Sequence, residues 1–330
     1  MRIAMKCFGV LMAVVMIVSC GIDEPADIHP EKNLTENDRV VVSNTNDFGF
    51  DVFRSVNRDN PGANVFISPL SISMALGMAY NGSAGTTRDA FTDVLGLGGM
   101  SDELINQSYW NINDILTKLD KNVRFGLANS IWYRSGWLFE QNFIDINKKY
   151  FNAEVRGLDF GNPLSPGIIN DWVESKTNGK IKKLIESIPD EMVMYLINTI
   201  YFNAPWKYKF DKTKTMADVF HNSGKMPSNC NMMNASRDYD LYNNGSVQAV
   251  SLPYGNGSFR MMLIMPLNTG IDDYIESLGY AGFLDIAKNL KTSGAHVYIP
   301  KFKMEFEQKL NENLKKLGLD VAFWADRADF

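Results

Sequence analysis

Apolar positions recur along this chain with two different periods, and the change from one to the other divides it. From Asp47 to Arg58, Phe48, Val52, Phe53 and Val56 fall at helical spacing, and Pro61-Gly62 stops the run. Ser68-Pro69-Leu70-Ser71 opens a second helix through Ile72, Ala75, Leu76 and Ala79, closed by Asn81-Gly82. Its small residues predict close packing on a sheet. A third helix is expected after Thr86-Thr87. A fourth runs from Ser101 to Leu119 on the stripe Ile105, Tyr109, Ile112, Leu116 and Leu119. Val123 to Tyr133 then alternates as a strand would (Val123, Phe125, Leu127, Asn129, Ile131, Tyr133). A helix around 142–151 and a short strand to Leu158 follow. Ser165-Pro166 predicts a helix start with Ser165 as N-cap, and Gly179 a stop. Later come strands at Tyr239–Tyr242, Val247–Leu252 and Phe259–Met265, joined by the turns at 243–246 and 255–258. One or two helices span Ile271 to Leu290, a strand runs from His296 to Met304, and Leu310, Leu314 and Leu317 mark a last helix before Gly318.

One stretch differs from these. Met192 to Trp206 is apolar on both alternating sets: Met192, Met194, Leu196, Ile200 and Phe202 on one, Val193, Tyr195, Ile197 and Tyr201 on the other. Such a strand is expected in the middle of a sheet covered on both faces. Asn198 interrupts it. A buried amide without partners costs about 1–3 kcal/mol, so a polar cluster is expected at the sheet centre. It is either a latch within the sheet or a group that reacts with a ligand. The order of helices, then a mixed region, then strands predicts an α+β fold and not a doubly wound one.

Composition adds little to this picture at first. The chain has 330 residues, 45% hydrophobic and 22% charged, with a formal charge of −5. That is ordinary globular material, and it lacks the basic face nucleic acid requires. The pairs Lys148-Lys149, Lys182-Lys183 and Lys315-Lys316 read as solvated helix faces. The N-terminus changes the picture more. Arg2 and Lys6 precede a short apolar run, Cys7 to Val18, ending Ile17-Val18-Ser19-Cys20-Gly21. This resembles a bacterial lipoprotein signal, with residues 1–19 removed and Cys20 lipidated; the simpler reading is a plain secretory signal. Residues 20–42 read as the lipidated cysteine and a flexible tether, and 43–330 as the folded domain. The expected location is the cell envelope, periplasmic or surface-exposed, held to a membrane by lipid, or otherwise secreted. With Cys7 removed and Cys20 modified, Cys230 has no intramolecular partner.

Searching for chemistry returns little. His29, His221 and His296 are scattered, with no Cys or His at zinc spacing. The stretch Asn81-Gly82-Ser83-Ala84-Gly85 misses a nucleophile elbow by register. Gly96-Leu97-Gly98-Gly99 does not complete a phosphate loop. No cofactor is implied and no catalytic set is found.

These stretches do resemble one family, the serpins, which inhibit serine and some cysteine proteases. NVFISPLSISMALGMAYNGSAGTT from Asn64 resembles the family's second helix. LANSIWYRSGWLFEQNF from Leu127 resembles the second strand of its large sheet and the helix after it. INDWVESKTNGKI from Ile169 resembles the helix lying across that sheet, and LINTIYFNAPWKYKFD from Leu196 its central strand. VSLPYGNGSFRMMLIMP from Val250, VYIPKFKMEFEQKLNENLKKLGL from Val297 and ADRADF from Ala325 resemble later segments. The resemblance is collinear over 43–330. It implies a serpin fold with a multi-helix first half, a large mixed sheet and smaller sheets forming a barrel.

The resemblance also assigns roles. Ser68, Ser71 and Asn198 map onto the shutter, whose hydrogen bonds hold the large sheet closed yet able to part, although helix capping alone would explain Ser68 and Ser71. Trp206 maps onto the breach, where the inhibitory loop first enters, and Lys301 onto a lysine that pairs with a hinge acid. Serpins continue past the ADRADF stretch with a further strand, the hinge, the reactive loop and two barrel strands. The reactive bond, the shutter histidine and the hinge acid are therefore expected beyond Phe330. Residues 1–330 alone are expected to inhibit no protease, and the fold is expected to be incomplete at its C-terminus. The implied function is suicide inhibition of a target serine or cysteine protease by a protein that is monomeric when complete. A non-inhibitory serpin or inert truncated product is the alternative, and a secreted hydrolase a remoter one.

Overall fold

The structure is a computed structural model and describes residues 34–222, 226–324 and 326–330. The chain divides into two compact units. The first helix, α1 (Glu36–Asp59), contributes its beginning to one unit and, from Phe50, its end to the other. It starts well before Asp47. Thr35 and Asp38 cap it reciprocally, Thr35 N–H donating to Asp38 Oδ2 at 2.8 Å and Asp38 N–H to Thr35 Oγ1 at 3.2 Å. Residues 36–42, placed with the tether by their polarity, are thus helical.

One unit comprises the start of α1, residues 68–203 and the stretch from Leu314. It contains α2 (Pro69–Tyr80), α3 (Gly85–Val94), α4 (Asp102–Lys118), α5 (Gln141–Phe151) and α6 (Ser165–Lys176). Its sheet has three strands: β1 (Arg124–Arg134) lies between β2 (Glu154–Leu158), which is parallel to it, and β3 (Met194–Asn203), which is antiparallel. The strand expected in the middle therefore lies at the edge of this three-stranded sheet among the described residues. Apolarity on both faces reports what lies above and below a strand, not how many neighbours flank it. The faces are indeed both covered. Ile197 joins Trp132, Ile169, Trp172 and Val173 in a core under α6, with Trp132 and Trp172 edge to face at 6.1 Å. Its neighbour Asn198 turns to α2. α2 can pack tightly because of Gly77, where a Cβ would come within 3.0–3.2 Å of the Tyr109 and Phe151 rings.

Two smaller expectations in this unit change. Ser165 is not the N-cap of α6, since Leu164 holds that position, and the Ser165 hydroxyl donates to Asp159 O at 2.6 Å instead. Lys182 and Lys183 lie not on a helix face but in an exposed irregular stretch after α6.

The other unit comprises 50–67 and 204–313. Its five-stranded sheet joins β4 (Met216–Phe220), β5 (Ser228–Asn243), β6 (Val247–Pro253) and β7 (Arg260–Pro266) in order, with β8 (Lys291–Pro300) also paired to β5. The expected turn at 243–246 is built by its side chains: Asn243 and Asn244 accept from the backbone of Gly245, Ser246 and Val247. Alternation divides β6 and β7 between two cores. Val250, Leu252, Met261 and Leu263 enter one, with Val297 and Ile299 of β8. Val247, Ala249, Met262 and Ile264 enter the other, under α7 (Ile271–Ser277) and α8 (Tyr280–Lys288). The last expected strand stops early, at Pro300, and residues 301–310 have no regular structure. Pro300 pairs with Met232, and the Lys301 N–H gives the last bond to the ladder, to Asn231 O at 2.9 Å. Helix α9 (Asn311–Leu314) runs into a turn closed by Gly318 at φ +116°.

Candidate functional site

The site is built from helix α2 upward. Ser68 is extended and caps the helix, its hydroxyl accepting the Ser71 N–H at 3.3 Å. That cap fixes the first turn and aims the Ser71 side chain at β3, where its hydroxyl donates to Asn198 Oδ1. Asn198 Nδ2 donates in turn to Asn129 Oδ1 on β1 at 2.7 Å, and Asn129 Nδ2 to the carbonyl of Phe151 at 2.7 Å. Asn129 and Asn198 face each other directly across the ladder.

The direction of this relay follows from its last member. A carbonyl can only accept, so Asn129 must present its amino group to Phe151 and its oxygen to Asn198. Asn198 must then give its amino group to Asn129 and its oxygen to Ser71. A single line of donors thus runs from α2 through both strands to the last residue of α5. Each link contributes about 0.5–1.5 kcal/mol net, while stranding one buried end costs about 1–3 kcal/mol. The arrangement is a neutral hydrogen-bond relay between α2, β3, β1 and α5, with no ionisable member. Of the three residues expected at a shutter, Ser71 and Asn198 meet, while Ser68 acts on them only through the helix cap.

Sequence reasoning did not single out Asn129. Its signal was present, a polar residue at an apolar register position of β1, but only strand pairing shows that it meets Asn198. A second buried cluster in the same unit was also missed. Ser73 lies 2.9 Å from Tyr109 OH and 3.2 Å from Thr45 Oγ1. Burial pushes the Tyr109 phenol up to about 12.

Trp206 and Lys301, the residues expected at a breach, lie in the other unit. Trp206 stacks on Tyr254 at 4.3 Å, with Phe210 edge-on at 6.0 Å, and the three pack against the β5–β8 core. The Lys207 and Gly255 N–H groups tie the two chain segments at 2.9 Å each. Lys301 is exposed, and its N–H donates to Asn231 O at 2.9 Å. Cys20 lies outside the described residues, and Cys230 is a free, half-buried thiol. Among the described residues no His, Cys, Asp and Glu cluster is suited to a metal ion, and no helix is long and apolar enough to cross a membrane.

The model of the Serpin (serine protease inhibitor) family matches residues 43–330. Iripin-1 of Ixodes ricinus is 30% identical over 295 residues, covering 87% of this chain and 75% of its own length. An uncharacterized serpin-like protein of Methanosarcina acetivorans is 28% identical over 300 residues, 89% of this chain and 70% of that protein. Among solved structures, the thermophilic serpin tengpin in its latent state superposes with a TM-score of 0.81 at 31% identity, over 91% of this chain and 80% of that one. Its native state gives 0.80 at 30% identity, over 92% and 77%. The family match, the collinear segments and the α+β architecture agree, and the chain belongs to the serpin family.

Proposed function

We propose that the protein is a serpin-type inhibitor of a serine or cysteine endopeptidase, anchored to a membrane through lipid on Cys20. Serpins as a family are mostly protease inhibitors and not catalytic enzymes. The observation that supports the reading best is the Ser71–Asn198–Asn129 latch on β3. It fastens a strand to α2 and β1 through neutral hydrogen bonds of modest worth, which suits a sheet that must stay closed and later part. In the proposed mechanism a protease attacks an exposed loop and forms an acyl-enzyme. The cut loop then inserts beside β3 as a new strand, and the protease is distorted before it can deacylate.

The assay uses the product of the whole reading frame, incubated with serine and cysteine proteases. A protease complex that survives denaturing electrophoresis supports the proposal. Simple cleavage of the protein indicates a non-inhibitory serpin, and turnover of a peptide or ester substrate a hydrolase; either would overturn it. For the anchor, Cys20→Ala should move the protein from the membrane to the soluble fraction, and full retention in the membrane would refute lipidation.

A further inference from the structure

Strands β1 and β2 are parallel, so their C-terminal ends lie together; Arg134 and Leu158 are their last pair. The chain leaves both strands at this end, and the Ser135 N–H still reaches Leu158 O at 2.8 Å. The first exit turns at Gly136, φ +92°, and presents Trp137 and Leu138. Phe139 then packs edge-on against Tyr133 at 5.2 Å, which holds the turn in place. The second exit folds back on itself, with Asn162 N–H bonded to Asp159 O and Ser165 to both Asn162 and Asp159. That fold presents Leu164. Leu138 is 99% exposed, Leu164 72% and Trp137 54%. Two leucines and a tryptophan held out by ordered turns on one rim mark an interaction surface. Indole and leucine side chains suit the region between lipid headgroups and acyl chains.

The surrounding charges narrow the partner. Glu140, Asp159, Asp190 and Glu191 are exposed beside this rim, while the Arg134 guanidinium is spent on the carbonyls of Met192, Pro189 and Asp190. Attraction to acidic lipid or to a polyanion is thereby disfavoured; insertion of apolar side chains is not. The reach of the chain fits as well. From Cys20 to Leu34 an extended chain spans up to about 50 Å. The first turn of α1 is fixed to α4 where Asn111 holds Asp38 at 3.1 Å. Two residues before Asn111 on α4, Tyr109 touches Phe151 at the end of α5, with ring centroids 5.3 Å apart. Helix α5 leads back about 15 Å to the rim. The rim thus lies on the order of 30 Å from the start of α1 by this path, within reach of the tether.

We propose that Trp137, Leu138 and Leu164 form a bilayer-contact rim that enters the interface of the membrane to which Cys20 tethers the chain. The inference rests on the lipid-anchor reading for the tether but not for the rim, and the test separates the two. The lipidated full chain and its Trp137→Phe variant are reconstituted with phosphatidylcholine vesicles carrying brominated acyl chains. The difference in emission between them isolates Trp137. At least twofold quenching of that difference, unchanged by 0.5 M salt, is expected. A chain that floats with the vesicles but leaves Trp137 unquenched overturns the rim and keeps the anchor. The Cys20→Ala chain tests the rim alone. It should retain weak vesicle binding that falls severalfold in Leu138→Glu/Leu164→Glu, whose melting temperature should match the parent. Equal binding of the two overturns the rim. So does shielding of Trp137 that grows with protein concentration without lipid, which would assign the patch to a second copy of the chain.

Discussion

The two sheets among the described residues use the same kinds of side chain and are held in different ways. In the five-stranded sheet, β6 and β7 set their buried apolar side chains against two cores, and its cross-strand polar contacts run through the part-exposed Arg260 and Asp240, which meet each other, Ser251 and Thr292. In the three-stranded sheet, α6 covers one face with a comparable core, but the face toward α2 is crossed by the Ser71–Asn198–Asn129–Phe151 relay. Apolar burial is worth roughly 25 cal/mol per Å² and has no alternative partner in water. A hydrogen-bond relay is worth about 1 kcal/mol per link and can exchange each link for another. The first arrangement makes a permanent sheet; in the second, β1 and β3 share a core on one face, while the other face is fastened to α2 by links that can be exchanged.

Removing apolar volume from the permanent sheet should have the largest effect. Leu263→Ala empties a position only 3% exposed between strands and should cost about 2–5 kcal/mol. Chemical denaturation should show a lower midpoint, with no accompanying change in the ratio of inhibition to cleavage. A Leu263→Ala protein that instead polymerised or inserted its loop early would erase the distinction between the sheets.

Breaking the relay should cost less and do something different. Asn198→Leu leaves both the Ser71 hydroxyl and the Asn129 oxygen without their partner, at about 1–3 kcal/mol for each group that water cannot reach. The expected readout on the full-length product is polymers or a latent, inactive form on mild heating, measured by native electrophoresis. Asn129→Leu should behave alike, and the double variant should cost less than the two single costs combined, because the residues are directly bonded. Additive effects, or normal monomer yield with normal inhibition, would remove the latch.

A third test uses pH. Burial raises the folded Tyr109 phenol from 10 to about 12. The fold binds this proton more tightly than the unfolded chain does, so its contribution is fully present below pH 10 and is lost as pH rises toward 12. Thermal melts between pH 9 and 12 should therefore fall less steeply in Tyr109→Phe than in the parent. Parallel curves would place the alkaline sensitivity elsewhere, with Tyr254 of the other unit, also pushed to about 12 by burial, as the next variant.

The smallest effect separates the two serines. Ser68→Ala removes a cap, at about 1 kcal/mol, and a cycle with Asn198→Ala should show little coupling because the two side chains do not bond. Ser71→Ala in the same cycle should couple clearly. The reverse ranking would mean that Ser68, and not Ser71, holds the strand.

Much of this was legible in the residues. Period two at 123–133 placed β1, the small residues of 69–80 made a close-packed α2, and Gly318 closed the last helix as its chemistry dictates. Asn198 stood out because a polar residue in a strand apolar on both sides demands partners, while Ser71 was named with it only by the resemblance to the family. Apart from that pairing these are local facts, set by the spacing of side chains along one segment and by what burial costs each. What only the tertiary structure decided is which segments meet. The pairing of Asn129 with Asn198 and the carbonyl of Phe151 as the end of the relay both depend on register between segments far apart in the chain. A strand's apolar pattern records the layers above and below it, because those layers exclude water from its faces. It carries no record of the strands beside it, because lateral neighbours are joined through backbone groups that every residue but proline shares.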